Sequence, residues 1–284
     1  MENDRRRLYV LDTFTGIGGG ILGALLCGHR IMCAVELDPY CRSVLVRRQN
    51  DGHLPHFPIW DDVRTFDGRR WRGIVDVVSG GFPCQNISPA GDRTGITGEK
   101  SSLWFTMLRI VREIRPRYVF VENSAQLVRN GLDVVLEGLD TCGYDAEWCV
   151  LGADDVGANH RRKRCWILGR NSNYKTKSKI GEVAGEKQVG GGICTNVPNT
   201  GNDRTIEWQW ELQGNKQVTG DGEDNGRRTP FNALGKWWKV EPGVGRVVDE
   251  CPHRLERLKG LGNAQVPLCA AVAWKTLYER INEI

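Results

Sequence analysis

Followed as apolar and polar positions, the first 170 residues alternate short apolar runs with longer helix-like stretches, the pattern of a sheet with crossover helices. Leu8–Phe14 (LYVLDTF) reads as a buried first strand, Gly16–Gly20 as a turn, Ile21–Cys27 as a helix and Ile31–Glu36 (IMCAVE) as the second strand. Further helices are expected at Tyr40–Gln49, Ser102–Ile114 and Leu132–Cys142, and further strands at Ile74–Ser79, Tyr118–Glu122 and Cys165–Leu168. From Asn171 to Arg254 the pattern lapses into polar sequence containing glycine and asparagine, anchored by Trp208, Trp210, Trp237 and Trp238. A small irregular module fits that texture better than a pure linker. Leu255–Leu261 and Val266–Tyr278 read as helices again, the second with apolar spacing suited to docking on the first region. The expected organisation is therefore one α/β domain, residues 1–170 plus 255–284, carrying a module at 171–254.

Composition agrees with a globular chain: 284 residues, 40% hydrophobic and 26% charged, enough to bury a core. The net charge of +4, from 39 Lys and Arg against 35 Asp and Glu, announces no nucleic-acid binder by itself, so any basic surface has to be local. The 10 cysteines are scattered without a C-x-x-C pair and the 5 histidines do not cluster, so thiols and no structural metal are expected. No run approaches the roughly 18 apolar residues of a membrane span, and MENDRRRLYVLDTF lacks a secretory signal, which gives the expectation of a cytoplasmic protein.

Four segments carry candidate chemistry. In Asp12-Thr13-Phe14-Thr15-Gly16-Ile17-Gly18-Gly19-Gly20, glycines stand where a chain leaving a strand approaches a nucleotide-like ligand. Glu36, ending the next strand, can accept from ribose hydroxyls, and Phe14 offers an aromatic face to adenine. Taken alone the cluster is a weak signal, because a tight turn accounts for it and the spacing does not match G-x-G-x-x-G without strain. In Gly80-Gly81-Phe82-Pro83-Cys84, a cysteine follows directly beyond a buried strand, where sheet enzymes expose reactive groups; most cysteines, however, are buried and inert. Glu122-Asn123 puts a carboxylate at the same sheet edge if the two strands are parallel neighbours. His160-Arg161-Arg162-Lys163-Arg164 precedes a strand, and alternation assigns Arg162 and Arg164 to one face and Arg161 and Lys163 to the other.

Together the segments resemble the cytosine-C5 DNA methyltransferase family, which uses S-adenosylmethionine. DTFTGIGGG looks like that family's cofactor loop, GGFPCQNIS its nucleophile motif, EN its acid motif, HRRKR its Q-x-R-x-R segment and GLGNAQVP its final cofactor motif. The resemblance spans residues 8–170 and about 255–284 and leaves 171–254 where the family has its target-recognition domain. It implies a Rossmann-like α/β methyltransferase domain with a small irregular recognition domain. It also implies Cys84 as nucleophile, Glu122 as the acid that holds the ring, Arg164 as partner of the base's O2, and Arg162 and Asn123 beside them. For the cofactor it implies Phe14, Gly16, Gly18, Gly19 and Asp12, with Glu36 at the ribose and Asp62 and Val63 at the adenine. Pro83, Leu103, Asn263 and Ala264 complete that pocket. Gln85, Ser88, Arg93 and Lys100 are the implied DNA contacts.

Three departures stand out: His160 where the family has glutamine, Thr13 in place of a common leucine, and a loose match over Gly243–Arg257. The expected partners are double-stranded DNA and a cognate restriction endonuclease, with no membrane, for a monomer in a bacterial or phage-infected cell. Alternatives from other classes are a tRNA cytosine methyltransferase, a non-catalytic DNA-binding regulator and an NAD-dependent dehydrogenase. The regulator would be expected to lose Cys84 or Glu122, and the dehydrogenase leaves GGFPCQNIS and GLGNAQVP unexplained.

Overall fold

Strand β1 (Tyr9–Thr13) is buried from Val10 onward, which only a central strand can be, and the computed structural model, describing residues 7–83, 102–174 and 252–283, places it there. Its neighbours are β2 (Arg30–Val35) on one side and β4 (Val77–Gly80) on the other. The sheet has seven strands in the order β3-β2-β1-β4-β5-β7-β6, with β3 at Ile59–Trp60, β5 at Tyr118–Ser124, β6 at Tyr144–Leu151 and β7 at Arg164–Asn171. The first five are parallel; β7 runs antiparallel to both β5 and β6. This is a Rossmann-like mixed sheet.

The period of two along each strand divides the interior into two layers. Leu11, Val78, Val119 and Val121 face a core shared with α3 (Ser102–Ile114) and α4 (Leu132–Thr141), where Trp104, Ile110 and Leu139 are fully buried. Their sequence neighbours Val10, Val77, Tyr118 and Phe120 face the opposite core, with α1 (Gly19–Leu26) and α6 (Pro267–Glu283). Helix α2 (Pro39–Asn50) begins where its spacing predicts: Asp38 accepts from the amides of Tyr40 and Cys41 at 2.9 and 3.3 Å, and Pro39 supplies a first-turn residue with no donor to satisfy. The short helix α5 (Arg254–Asn263) precedes α6.

Two strands escape the sequence reading. β3 is only two residues long, and β6 (YDAEWCVL) is an edge strand whose Trp148 and Val150 stay exposed, so it lacks the apolar run that marks the others. β7 also continues through Asn171, taking the sheet past the point where the polar texture begins. The chain divides into a unit of Met1–Tyr174 with Pro230–Ile284 and a second unit, Lys175–Thr229, which lies outside the described residues. Among the described residues no helix is long and apolar enough to cross a membrane.

Behind the sheet edge, a cavity of about 20 Å³ opens among α1, α6 and the sheet, lined in part by His29, Cys27, Ser79, Gln265 and Trp274. Both ring nitrogens of His29 are buried without a partner, and its ring meets Trp274 edge-on at 4.9 Å. Burial pushes the imidazole down from 6.5 to about 4. The folded state therefore keeps His29 neutral in a range where the unfolded chain already binds a proton. Its contribution to stability is complete above pH 6.5 and is lost as pH falls from there toward 4. His29→Phe should remove up to about 3 kcal/mol of this acid sensitivity. Urea midpoints of the two proteins at pH 7 and pH 4 measure it, the variant showing the smaller difference.

Candidate active site

Register brings the chemistry-bearing segments to one edge. Thr13 lies opposite Gly80 and Gly80 opposite Val121, so Phe14, Gly81 and Glu122 follow side by side at the carboxyl ends of β1, β4 and β5. In parallel sheets this edge is where ligands bind. Antiparallel β7 arrives from the other direction, pairing Trp166 with Glu122 and Arg164 with Ser124, and so delivers its first residues to the same edge.

Glu122 is the buried acid of the group. Its Oε1 pairs with Arg164 Nε at 2.9 Å. Burial nevertheless pushes its carboxyl up to about 6, against the opposing pull of Arg164 and Arg162. Oε2 faces the backbone of Gly81, where an added Cβ would sit 2.6 Å from it, so a side chain at 81 would push the carboxyl out of this position. Asn123 accepts from the Ser124 amide at 2.8 Å and donates from Nδ2 to the Phe82 carbonyl at 3.2 Å, tying β5 to the segment that follows β4. Pro83 is exposed. Cys84 itself, with Gln85, Ser88, Arg93 and Lys100, lies outside the described residues.

The glycine loop after β1 has its own constraints. Phe14 sits at φ 55°, a left-handed conformation that costs a non-glycine residue of the order of 1 kcal/mol and recurs at ligand sites. Thr15 Oγ1 donates to the Asp12 carbonyl at 2.9 Å. Glu36 accepts from the amides of Gly16 at 2.6 Å and Asp38 at 2.8 Å, one on each oxygen. It thus holds the loop on β2 and keeps spare lone pairs for a hydroxyl. Gly18 and Gly19 are buried, and a Cβ on Gly19 would collide with the Gln265 carbonyl, so the loop and the α5–α6 junction are in backbone contact.

The remaining implied cofactor residues are placed less uniformly. Asp62 is engaged by Arg64, which grips both carboxylate oxygens at 2.7–3.0 Å and holds the acid below the usual carboxylate range. Val63 is buried, its carbonyl accepting from Arg109 at 3.1 Å. Leu103, in the first turn of α3, is half-buried against the core. Asn263 and Ala264 form the end and C-cap of α5, and Arg162 Nη2 donates to the carbonyls of Gly262 and Ala264 at 2.5 and 2.7 Å. Arg162 and Arg164 are half-buried, whereas Arg161, Lys163 and His160 are exposed.

Three residues join the site that the sequence reading left without a role. Thr13, the departure from leucine, donates its hydroxyl to the Ser79 carbonyl at 2.9 Å and so cross-links β1 to β4. Ser79 Oγ donates to Asp12 Oδ1. Burial pushes Asp12 up to about 6, with the Ser79 hydrogen bond opposing the rise. The Gln265 amide spans the two glycine backbones: a Cβ on Gly20 would lie 2.7 Å from its Oε1, and one on Gly81 would lie 3.2 Å from its Nε2. Its place inside GNAQVP was the only available sequence signal; Ser79 had one in preceding GGFPC.

The pattern description of C-5 cytosine-specific DNA methylases matches residues 8–224 of this chain. Among similar proteins, the type II methyltransferase M.CviJI of Paramecium bursaria Chlorella virus IL3A is 32% identical over 178 residues, covering 62% of this chain and 47% of that protein. The type II methyltransferase M.HhaI of Haemophilus parahaemolyticus is 31% identical over 165 residues, covering 57% of this chain and 48% of that protein. The chain thus spans about half the length of the curated relatives it matches. The crystal structure of the S. pombe Dnmt2 methyltransferase superposes with a TM-score of 0.47 and 22% identity, over 64% of this chain and 57% of that one.

Proposed function

We propose that this chain, which belongs to the C-5 cytosine-specific DNA methylase family, methylates C5 of a flipped-out cytosine within a short DNA sequence. The observation that carries the reading is the buried Glu122, paired with Arg164 at 2.9 Å and seated against Gly81, three residues before Cys84. An acid kept near pKa 6 against Gly81, three positions ahead of a cysteine in the sequence, is suited to handle a proton on a ring that a thiolate attacks.

Cytosine C5 is a weak nucleophile while the ring stays conjugated. Addition of the Cys84 thiolate at C6 breaks that conjugation and leaves C5 enamine-like. A free thiol ionises near pH 8.5, so Cys84 has to lose its proton first. Glu122 places a proton at N3 as negative charge builds on the ring, and Arg164 holds the carboxyl in position and reaches the base's O2. Once C5 carries the methyl group as well as its hydrogen, loss of the C5 proton to a base re-forms the C5–C6 double bond, the C6–S bond breaks, the thiolate leaves and the N3 proton returns to Glu122.

S-adenosylmethionine, when bound, supplies an electrophilic methyl group. The residues present fit that group. The backbone of Gly16 leaves an open approach, with nothing within 4 Å of where its Cβ would be, Gly18 and Gly19 let the loop pack closely on Leu45 and Gln265, Glu36 retains acceptor capacity, and Arg162 holds the carbonyls on either side of Asn263. Asp12, Phe14, Asp62, Val63, Pro83 and Leu103 complete the holding set in this reading.

A target base inside a duplex hides C6 in the stack, so it has to swing out at a cost of a few kcal/mol. Gln85 and Ser88 flank the gap in this reading, with Arg93 and Lys100 on phosphates, and residues 171–254 form the recognition domain that reads base edges. The type II names of the relatives support a restriction–modification setting, and a cognate endonuclease as partner, a monomeric state and action in the cytoplasm belong to the same reading. Incubation with methyl-labelled S-adenosylmethionine, plasmid DNA and tRNA in parallel is the test. Label should enter DNA and not tRNA. Folded protein that labels no DNA defeats the proposal, and label in tRNA alone reassigns the substrate.

A further inference from the structure

The α5–α6 junction, residues 262–266, reaches the sheet edge with no strand to pair with. What holds it is a side chain about 100 residues away: Arg162 Nη2 donates to the carbonyls of Gly262 at 2.5 Å and Ala264 at 2.7 Å, one on each side of Asn263. We infer that Arg162 is a positioning residue, a latch that fastens the cofactor-facing junction to β7 and so joins the cofactor half of the site to the half containing Glu122. The inference rests on the methyltransferase reading and assigns Arg162 a protein partner where a basic run suggests phosphate.

Three further observations converge on the latch. Arg162 has φ 36°, a left-handed backbone that an arginine adopts only when its surroundings impose it. The preceding residue is pinned, since the Arg161 carbonyl accepts from the Ala153 amide at 2.7 Å, which fixes the direction in which residue 162 leaves. On the far side, the Gln265 backbone abuts Gly19 so closely that no Cβ fits between them. The junction is therefore gripped between Arg162 and the cofactor loop. Two residues on, Arg164 uses the same face to hold Glu122 at 2.9 Å. One face of the HRRKR segment thus carries both connections.

Bond directions make the role testable against a phosphate contact. A guanidinium donating to two backbone carbonyls makes charge-assisted bonds that neither glutamine nor lysine reproduces in full. Calorimetric titration with S-adenosylhomocysteine and the salt dependence of binding to a mixed-sequence duplex are compared for wild type, Arg162→Gln and Arg162→Lys. The latch predicts a dissociation constant for S-adenosylhomocysteine raised about tenfold or more in Arg162→Gln and less in Arg162→Lys. It also predicts an unchanged slope of log K against log salt for DNA. An unchanged cofactor affinity in the folded variant, or a slope reduced by about 1, overturns it. Should Arg162→Gln not fold, Arg162→Lys decides by the same two readouts. Failure of wild type itself to bind S-adenosylhomocysteine removes the methyltransferase reading and the latch with it, whereas wild-type binding matched by the variant removes the latch alone.

Discussion

Cys84→Ser should stop methyl transfer to DNA, lowering the rate by more than about a thousandfold, while the protein still folds and still binds S-adenosylhomocysteine. The physical reason lies in ionisation. A thiol near pKa 8.5 supplies some thiolate at neutral pH, whereas a serine hydroxyl supplies essentially no alkoxide without a general base beside it. C6 then finds no nucleophile and C5 stays locked in the aromatic ring. Initial rates of label incorporation, measured beside calorimetric cofactor binding, separate lost chemistry from lost binding. A Cys84→Ser protein retaining a tenth of the wild-type rate contradicts the assignment.

Glu122→Gln should lower the methylation rate by about 10²–10⁴-fold, because it keeps the shape and the acceptor for Arg164 but removes the proton that a carboxylic acid can place at N3. The pH profile gives a sharper signature. With the carboxyl raised to about 6 by burial, the proton-bearing form is the majority species below that pH and declines by a factor of ten per unit above it. Because the thiolate fraction of Cys84 rises about tenfold per unit up to about pH 8.5, the rate constant for the chemical step in wild type should climb to about pH 6 and then run level as the two changes offset, whereas the glutamine variant should keep climbing through that range. Single-turnover rates across pH 5–9 measure it, and a break near pH 6 that persists unchanged in Glu122→Gln assigns that proton to another group.

Much of this site was legible because its residues sit at fixed offsets from strand ends. Apolar runs located β1, β2, β4, β5 and β7, and parallel pairing of the first four turned those offsets into neighbouring positions at one edge. Phe14, Gly81 and Glu122 are brought together by backbone register alone. The edge strand β6 stayed hidden because one of its faces remains in water and its apolar positions never form a run.

Connections between side chains and distant backbone were equally out of reach. Nothing in HRRKR says that Arg162 reaches the carbonyls around Asn263 while Arg164 turns to Glu122, since both satisfy the same alternation. The Asp12–Ser79 pair was invisible for a related reason: it joins two strands at matching heights, and only the β1–β4 register reveals it. Thr13 shows the converse, a departure from the family's usual residue that becomes intelligible once its hydroxyl is seen on the Ser79 carbonyl.

The most direct test uses duplex DNA in which every cytosine is replaced by 5-fluorocytosine, so that any target sequence is covered. Fluorine at C5 cannot depart as the proton does, so the ring stays bonded to sulfur once the methyl group has been added. With S-adenosylmethionine present, the account predicts a one-to-one protein–DNA complex that survives denaturant, with the nucleotide mapped by mass spectrometry to the Cys84 peptide. Turnover on ordinary cytosine DNA with no such complex, or an adduct on a different residue, would contradict it.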